Sequence, residues 1–275
     1  MRVPRARPVE QLLWWMAAVP ATAVIVVGFG VPLLQSLAAS FVRDGRITLA
    51  NYELVYRLYG QDVVYTVLVA AAGLVLTFGA GIPLAGYLRL HAAPTVEFLL
   101  KIPLFVPFVV VGHAMRIFLA PRGTLLSVLH ALGLISPDAS LGFGQTWLGL
   151  AIALAWKHLA LIVLLLMGAF RAVDESYLEA ARGFGAGTIR QIWAVLVPMS
   201  ASSLALAAVL ALTSMLASFS IPLMMSRGSG PQMLMIDLYY RFGQHGDFGV
   251  ASALGVVSYL LASGAAYYYL RTVSR

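Results

Sequence analysis

The sequence predicts an all-α, polytopic membrane protein with about six transmembrane helices, and three observations carry that prediction. The 275 residues are 61% hydrophobic and 11% charged, where soluble domains carry about 25% charged residues. The apolar residues gather into runs of the roughly 20 residues that a bilayer crossing needs. The polar residues fall between those runs, with no internal repeat, low-complexity tract or separate soluble domain, so 1–275 reads as a single transmembrane domain. Net charge is +7, from 18 Lys and Arg against 11 Asp and Glu. The arginines are scattered, which excludes the contiguous patch that nucleic acid requires. Cysteine is absent, which excludes a disulfide framework, a thiol nucleophile and a Cys-based metal site.

The expected spans are 12–39, 62–88, 96–119, 146–170, 198–219 and 248–270. Arg2, Arg5 and Arg7 before the first span look like a signal-peptide n-region, but the apolar run outlasts an h-region and reads as a retained span. The segment 40–61, with Asn51-Tyr52, is a polar connector. The segment 120–145 opens with Pro121-Arg122-Gly123, forms a short surface helix to about Leu134 and turns at Ser136-Pro137-Asp138. The fifth span opens on Pro198, a residue suited to a first helical turn. The segment 220–247 holds Gly228-Ser229-Gly230-Pro231, a Met-rich apolar stretch and Gly243–Gly246. Irregular apolar backbone at membrane depth must pack on protein or line a cavity, so a short re-entrant or lid-like helix is expected at 231–242.

Orientation follows from basic residues, which stay on the cytoplasmic side. Arg2, Arg5, Arg7, Arg89, Arg171, Arg182, Arg190, Arg271 and Arg275 share one side, against Arg43, Arg46, Arg57, Arg122, Arg227 and Arg241 on the other. The bias places both termini and the loop 171–197 in the cytoplasm.

That loop is the most informative segment. Ser176-Tyr177-Leu178-Glu179 fits a capping box, with Asp174 and Glu175 adding charge where the helix dipole favours it. The helix should end at Gly183–Gly185, and a second amphipathic turn from Ile189 to Leu196 should lead to Pro198. Tyr177, Leu178 and Ala181 form a small apolar face suited to a groove on another protein. The competing assignment is an ordinary cytoplasmic loop with a surface helix.

Glu179, Ala180, Ala181, Gly185 and Pro198 stand at the spacing Glu-Ala-Ala, three residues, Gly, nine residues, Ile-x-Leu-Pro, with Val195 and Val197 where that pattern has Ile and Leu. In this the chain resembles the permease subunits of binding-protein-dependent ABC importers. Ile102–Leu119 with Pro121-Arg122-Gly123, Asn51-Tyr52, and Gly246-Asp247-Phe248-Gly249 with Ala251-Ser252-Ala253 look like the spermidine/putrescine-type branch; iron, thiamine, aminoethylphosphonate and sulfate permeases share some of these. The resemblance covers about residues 50–265. It implies a type I importer permease fold in a bacterial inner membrane and a non-catalytic subunit without cofactor. Its implied partners are two copies of an ATP-binding subunit docking on the loop 174–190, a second and different permease, and an extracytoplasmic solute-binding protein. Glu179, Ala180, Ala181, Gly185, Tyr177, Leu178 and Pro198 become ATPase-coupling residues. The solute is polyamine-like, with phosphonate, sulfate, iron, thiamine or sugar as alternatives. A Walker A loop needs a lysine after glycine; the lysines, Lys101 and Lys157, follow Leu100 and Trp156, so any ATPase is another chain.

Ionisable groups at bilayer depth cost about 2.5–3.5 kcal/mol each on insertion scales, which makes them functional candidates. Lys157 and His158 fall in the fourth span, His113 and Arg116 in the third. Arg116 and Lys157 either line the translocation path or its outer gate, meeting an anionic solute or an acidic group, or Arg116 snorkels and Lys157 pairs with a carbonyl or a partner. The Lys-His pair departs from the polyamine branch, since a polycation gains nothing from buried positive charge. Ser214 and Ser218 either line the cavity or, with Ser220, serve helix packing. Met224, Met225, Met233 and Met235 either pack or form a flexible gate. His91, His130 and His245 sit at no metal-ligand spacing, so no metal site is expected. Two other function classes compete. A stand-alone secondary transporter calls for ion-coupling groups and an inverted repeat, and an intramembrane enzyme calls for a motif such as Gly-x-Ser-x-Gly.

Overall fold

The computed structural model describes residues 8–91, 93–136, 142–144, 146–226 and 230–273. Arg2, Arg5, Arg7, Arg227, Arg275, most of the turn Ser136-Pro137-Asp138, and Gly228-Ser229 lie outside the described residues. In chain order the elements are α1 (Pro8–Ile25), a π turn (Val26–Gly30), α2 (Val31–Ser40), strands β1 (Val42–Arg43) and β2 (Arg46–Ile47), α3 (Ala50–Leu90), α4 (Pro94–Phe105), α5 (Phe108–Phe118), α6 (Thr124–Ala131), α7 (Trp147–Arg171), α8 (Glu175–Gly183), α9 (Thr188–Gln191), a second π turn (Ile192–Leu196), α10 (Val197–Met199), α11 (Ala201–Leu216), α12 (Ser220–Met225), α13 (Leu234–Gly243) and α14 (Phe248–Val273).

Among the described residues three helices are long and apolar enough to cross a membrane: Ala18–Ser40, α3 and α7. Two bent pairs, Pro94–Phe105 with Phe108–Phe118 and Thr188–Met199 with Ala201–Leu216, raise the number to five if each is one span. The sixth expected span falls on α14, whose apolar stretch Phe248–Gly264 is shorter than the helices counted as crossing a membrane.

Four expectations need correction. The segment 40–61 is not a connector throughout, because α3 begins at Ala50 and runs for 41 residues. At 1.5 Å per residue it is about 60 Å long, twice the hydrocarbon thickness. The third span is not one helix. Its halves meet at 105°, because Pro107 forces Val106 into extended backbone (φ −81°, ψ 122°). The fifth span does not open on Pro198; that residue closes the segment 188–199, and α11 leaves at 82° after Ser200. The surface helix of 120–145 ends at Ala131, short of Leu134, with Gly133 at φ +69°. A helix does lie in the 231–242 region, starting at Leu234. Both π turns precede a proline by two residues, Pro32 and Pro198, and the extra residue shifts the backbone register beside a residue that cannot donate.

The chain divides into two units, Met1–Arg57 with Leu238–Val256, and Leu58–Asp237 with Val257–Arg275. In the first, Asp44 (φ 51°) and Gly45 (φ 73°) close the β1–β2 hairpin, as a two-residue loop twisting with its strands requires. Asn51 locks it: its Nδ2 donates to the carbonyls of Ser40 and Val42, both at 3.0 Å, and its Oδ1 accepts from Arg43 at 3.1 Å. Tyr52 shares a 2.7 Å hydrogen bond with Ser40. The Asn51-Tyr52 pair thus fastens the turn into α3.

In the second unit α7 is the central helix, with 61% of its apolar window buried. Thr146 caps its start, accepting from Gly149 N at 3.2 Å. One apolar cluster joins α3, α7, the loop after α7 and α11 through Ile82, Leu166, Phe170, Leu178, Ile192 and Ala211. The other joins α3, α5, α7, α11 and α12 through Val69, Val111, Leu154, Met215 and Ile221. The first cluster makes the floor on which the loop rests.

Candidate coupling loop and intramembrane polar groups

α8 begins two residues earlier than a Ser176 cap requires. Asp174 is its N-cap, and its carboxylate accepts from Ser176 N at 2.8 Å. A charged acceptor facing the helix dipole is the stronger cap, so Ser176 lies inside the helix. The hydrogen bond from Ser176 holds the Asp174 carboxyl below the usual carboxylate range. The C-terminus closes as a Schellman motif: Ala186 N donates to Ala181 O at 2.9 Å and Gly185 N to Arg182 O at 2.8 Å. Gly185 sits at φ +77°, a left-handed conformation that glycine adopts without penalty. Gln191, buried, ties the two halves of the loop, donating to Ala186 O at 2.8 Å and accepting from Arg182 at 3.4 Å.

The faces of α8 differ from expectation. Leu178 is 0% exposed and belongs to the chain's own core, so it is not part of a face offered to another protein. Tyr177 (54%) and Phe184 (89%) are open, as are Ile189 (75%) and Trp193 (52%) across the turn. Glu179, Ala180, Gly185 and Pro198 are exposed, and Ala181 is half-buried. Gly187, Thr188, Ile189, Arg190, Trp193 and Ala194 line an open groove beside α8. Phe184, Ile189 and Trp193 escaped the sequence reading because only burial separates an apolar residue facing out from one facing in. Their proximity to Gly185 and Gly187 was the available signal.

Beneath α8 lies a charged junction. Arg89 Nη2 is 2.8 Å from Glu175 Oε2, and Arg182 Nη2 is 2.7 Å from Glu175 Oε1. These bonds, the one from Arg89 first, hold the Glu175 carboxyl below its ordinary range.

The intramembrane candidates separate into distinct places. Lys157 is buried, and its Nζ donates to Pro103 O at 2.7 Å and Val106 O at 2.6 Å, 4.6 Å from the centre of the Phe108 ring. The cause is local. Pro103 O would accept from residue 107 in a continuous helix, but Pro107 has no N–H. Lys157 supplies the missing donors at the α4–α5 break. His158, also buried, reaches the carbonyl of Leu154 (2.8 Å) and the hydroxyl of Ser214 on α11 (3.0 Å). Ser214 itself is exposed. Arg116 is exposed and donates to Met224 O at 3.3 Å on α12, so the structure does not join it to Lys157. Ser218 Oγ is buried and meets no hydrogen-bond partner among the described residues.

Residues 73–273 match the family described as binding-protein-dependent transport system inner membrane component. The spermidine/putrescine transport system permease protein PotB of Haemophilus influenzae is 29% identical over 181 residues, 62% of this chain and 63% of that one. The sulfoquinovosyl glycerol transport system permease protein SmoG of Agrobacterium fabrum is 26% identical over 275 residues, 97% of this chain and 88% of that one. Among solved structures, a chain of the bacterial alginate ABC transporter in complex with an alginate pentasaccharide-bound periplasmic protein superposes with a TM-score of 0.77 at 17% identity, covering 94% of this chain and 92% of that one. The chain therefore belongs to the family of inner membrane components of binding-protein-dependent transport systems, a multi-pass permease of the ABC importer type and not itself an enzyme.

Proposed function

We propose that this permease moves a small polar solute, handed to it by an extracytoplasmic binding protein, and is driven by two copies of a separate ATPase docking on the loop 174–190. The observation that carries this reading is the set of exposed apolar side chains Tyr177, Phe184, Ile189 and Trp193 on a loop whose helix is capped by Asp174. Large apolar groups held open on a polar, glycine-punctuated loop fit a partner's groove, with aromatic anchors at its centre. Closure of the ATPases on ATP would push on the loop and switch the spans from inward-facing to outward-facing, a bistable element biased at two sites. The second permease is a different chain, and both termini lie in the cytoplasm. Within the spans, Ser214 and Arg116 are open to a passing solute, while Lys157 is committed to carbonyls. The solute lead is polyamine-like or a sugar, the classes in the names of the relatives.

The test is purification through a tag on this chain, with identification of what accompanies it and measurement of ATP hydrolysis. The expected result is an ATP-hydrolysing chain and a second permease, with Phe184→Glu losing the ATPase while retaining the permease partner. A complex that keeps its ATPase in that variant and in Trp193→Glu overturns the docking surface. Recovery of this chain by itself, transporting without ATP, overturns the reading.

A further inference from the structure

Resting on the proposal that an ATPase pushes on the loop, the geometry points to a residue outside the loop as its joint to the membrane helices. We propose that Arg89, in the last turn of α3, is the positioning residue that makes α8, α3 and α7 move as one.

α7 ends at Arg171, and its last carbonyls lack partners within the helix. Arg89 Nε donates to Phe170 O at 3.0 Å and Nη2 to Val173 O at 3.2 Å. The same guanidinium meets Glu175 of α8 at 2.8 Å, and Glu175 in turn holds Arg182 in the final turn of α8 at 2.7 Å. One planar fork thus serves two carbonyls and a carboxylate, which a lysine ammonium on its flexible stem cannot reproduce in the same geometry. The Arg89 side chain is only 17% exposed, so these contacts are less screened than an open surface pair.

A second contact runs beside it. A Cβ on Gly86, one turn earlier on α3, would lie 2.6 Å from Ile192 Cγ1. The end of α3 therefore meets both halves of the loop, through charge at Glu175 and through bare backbone at Ile192. Leu178 anchors α8 as well, but an apolar plug resists sliding less than a directed set of hydrogen bonds. Displacing α8 without moving α3 would break the Arg89–Glu175 contact, while the bonds of Arg89 to Phe170 O and Val173 O hold the end of α7 to α3.

The chain has no cysteine, so Ser214→Cys introduces its single thiol, on an exposed residue whose hydroxyl reports the α7–α11 contact at His158. The complex is captured through this chain and labelled with N-ethylmaleimide, with and without ATP plus vanadate. We expect nucleotide to change the labelling rate in the parent. In R89Q, with subunits and nucleotide binding retained, that change shrinks by roughly five-fold or more, the scale of an allosteric coupling. R89K falls between, and R89Q/E175Q is no worse than R89Q, since both act through one contact. An undiminished response in R89Q, additive effects in the double variant, or a response lost only in proportion to lost ATPase subunit overturns the proposal. So does a parent that hydrolyses ATP while neither Ser214→Cys nor Leu210→Cys, at the exposed residue one turn earlier on α11, responds. A parent complex without any ATPase overturns the functional reading itself and this inference with it.

Discussion

Lys157 shows how one residue takes its meaning from a distant one. A buried ammonium is costly unless its donors are met, and here two carbonyls at the α4–α5 break meet them. Lys157→Met keeps the stem and removes the donors. Each acceptor left unmet costs about 1–3 kcal/mol, so the variant should unfold at lower temperature in detergent and lose transport through a loosened α4–α5 break. Parent-like thermal unfolding would show that the break holds without it. Pro103 and Pro107 announce that break in the sequence, but a count of apolar residues passes over them. Nothing local ties either to position 157, some fifty residues away.

α8 is the element whose design is easiest to read. Gly183 and Gly185 mark its end, and Gly185 takes the expected left-handed turn. Its start is not where the Ser176 capping box puts it, because the Asp174 carboxylate is the N-cap and accepts from Ser176 N. Asp174 and Glu175 are both held below the usual carboxylate range. Groups with lowered folded values stabilise above their unfolded pKa, and that contribution is lost as pH falls through the folded value. Amide exchange across 175–183, taken relative to the intrinsic rate at each pH, should therefore stay constant from about pH 8 to pH 5 and accelerate only below about pH 4, the unfolded carboxylate range. Glu175→Gln should raise exchange at neutral pH and flatten the acid response. Acceleration beginning near pH 6 would point to another group.

At the scale of the whole molecule, the arrangement separates a membrane-embedded framework from an exposed loop. The topology makes a direct prediction in a chain that lacks cysteine. Ala180→Cys, on the exposed face of α8, should resist a membrane-impermeant maleimide added outside intact cells and react once the membrane is opened. Asp44→Cys in the hairpin turn should react without opening. The reverse pattern would invert the orientation inferred from the arginines.

The sequence by itself determined the all-α membrane class, the family and the position of the loop, because apolar run length and motif spacing are properties of the linear chain. The glycine stop of α8 was equally legible, since a left-handed residue is a local requirement. Only the tertiary structure decided that Leu178 faces inward while Phe184 and Trp193 face out, that Lys157 serves a helix break, that the third and fifth spans bend, and that Arg89 meets Glu175. Each of these depends on which distant backbone groups are left without partners and which faces are already covered, and spacing along the chain carries neither quantity.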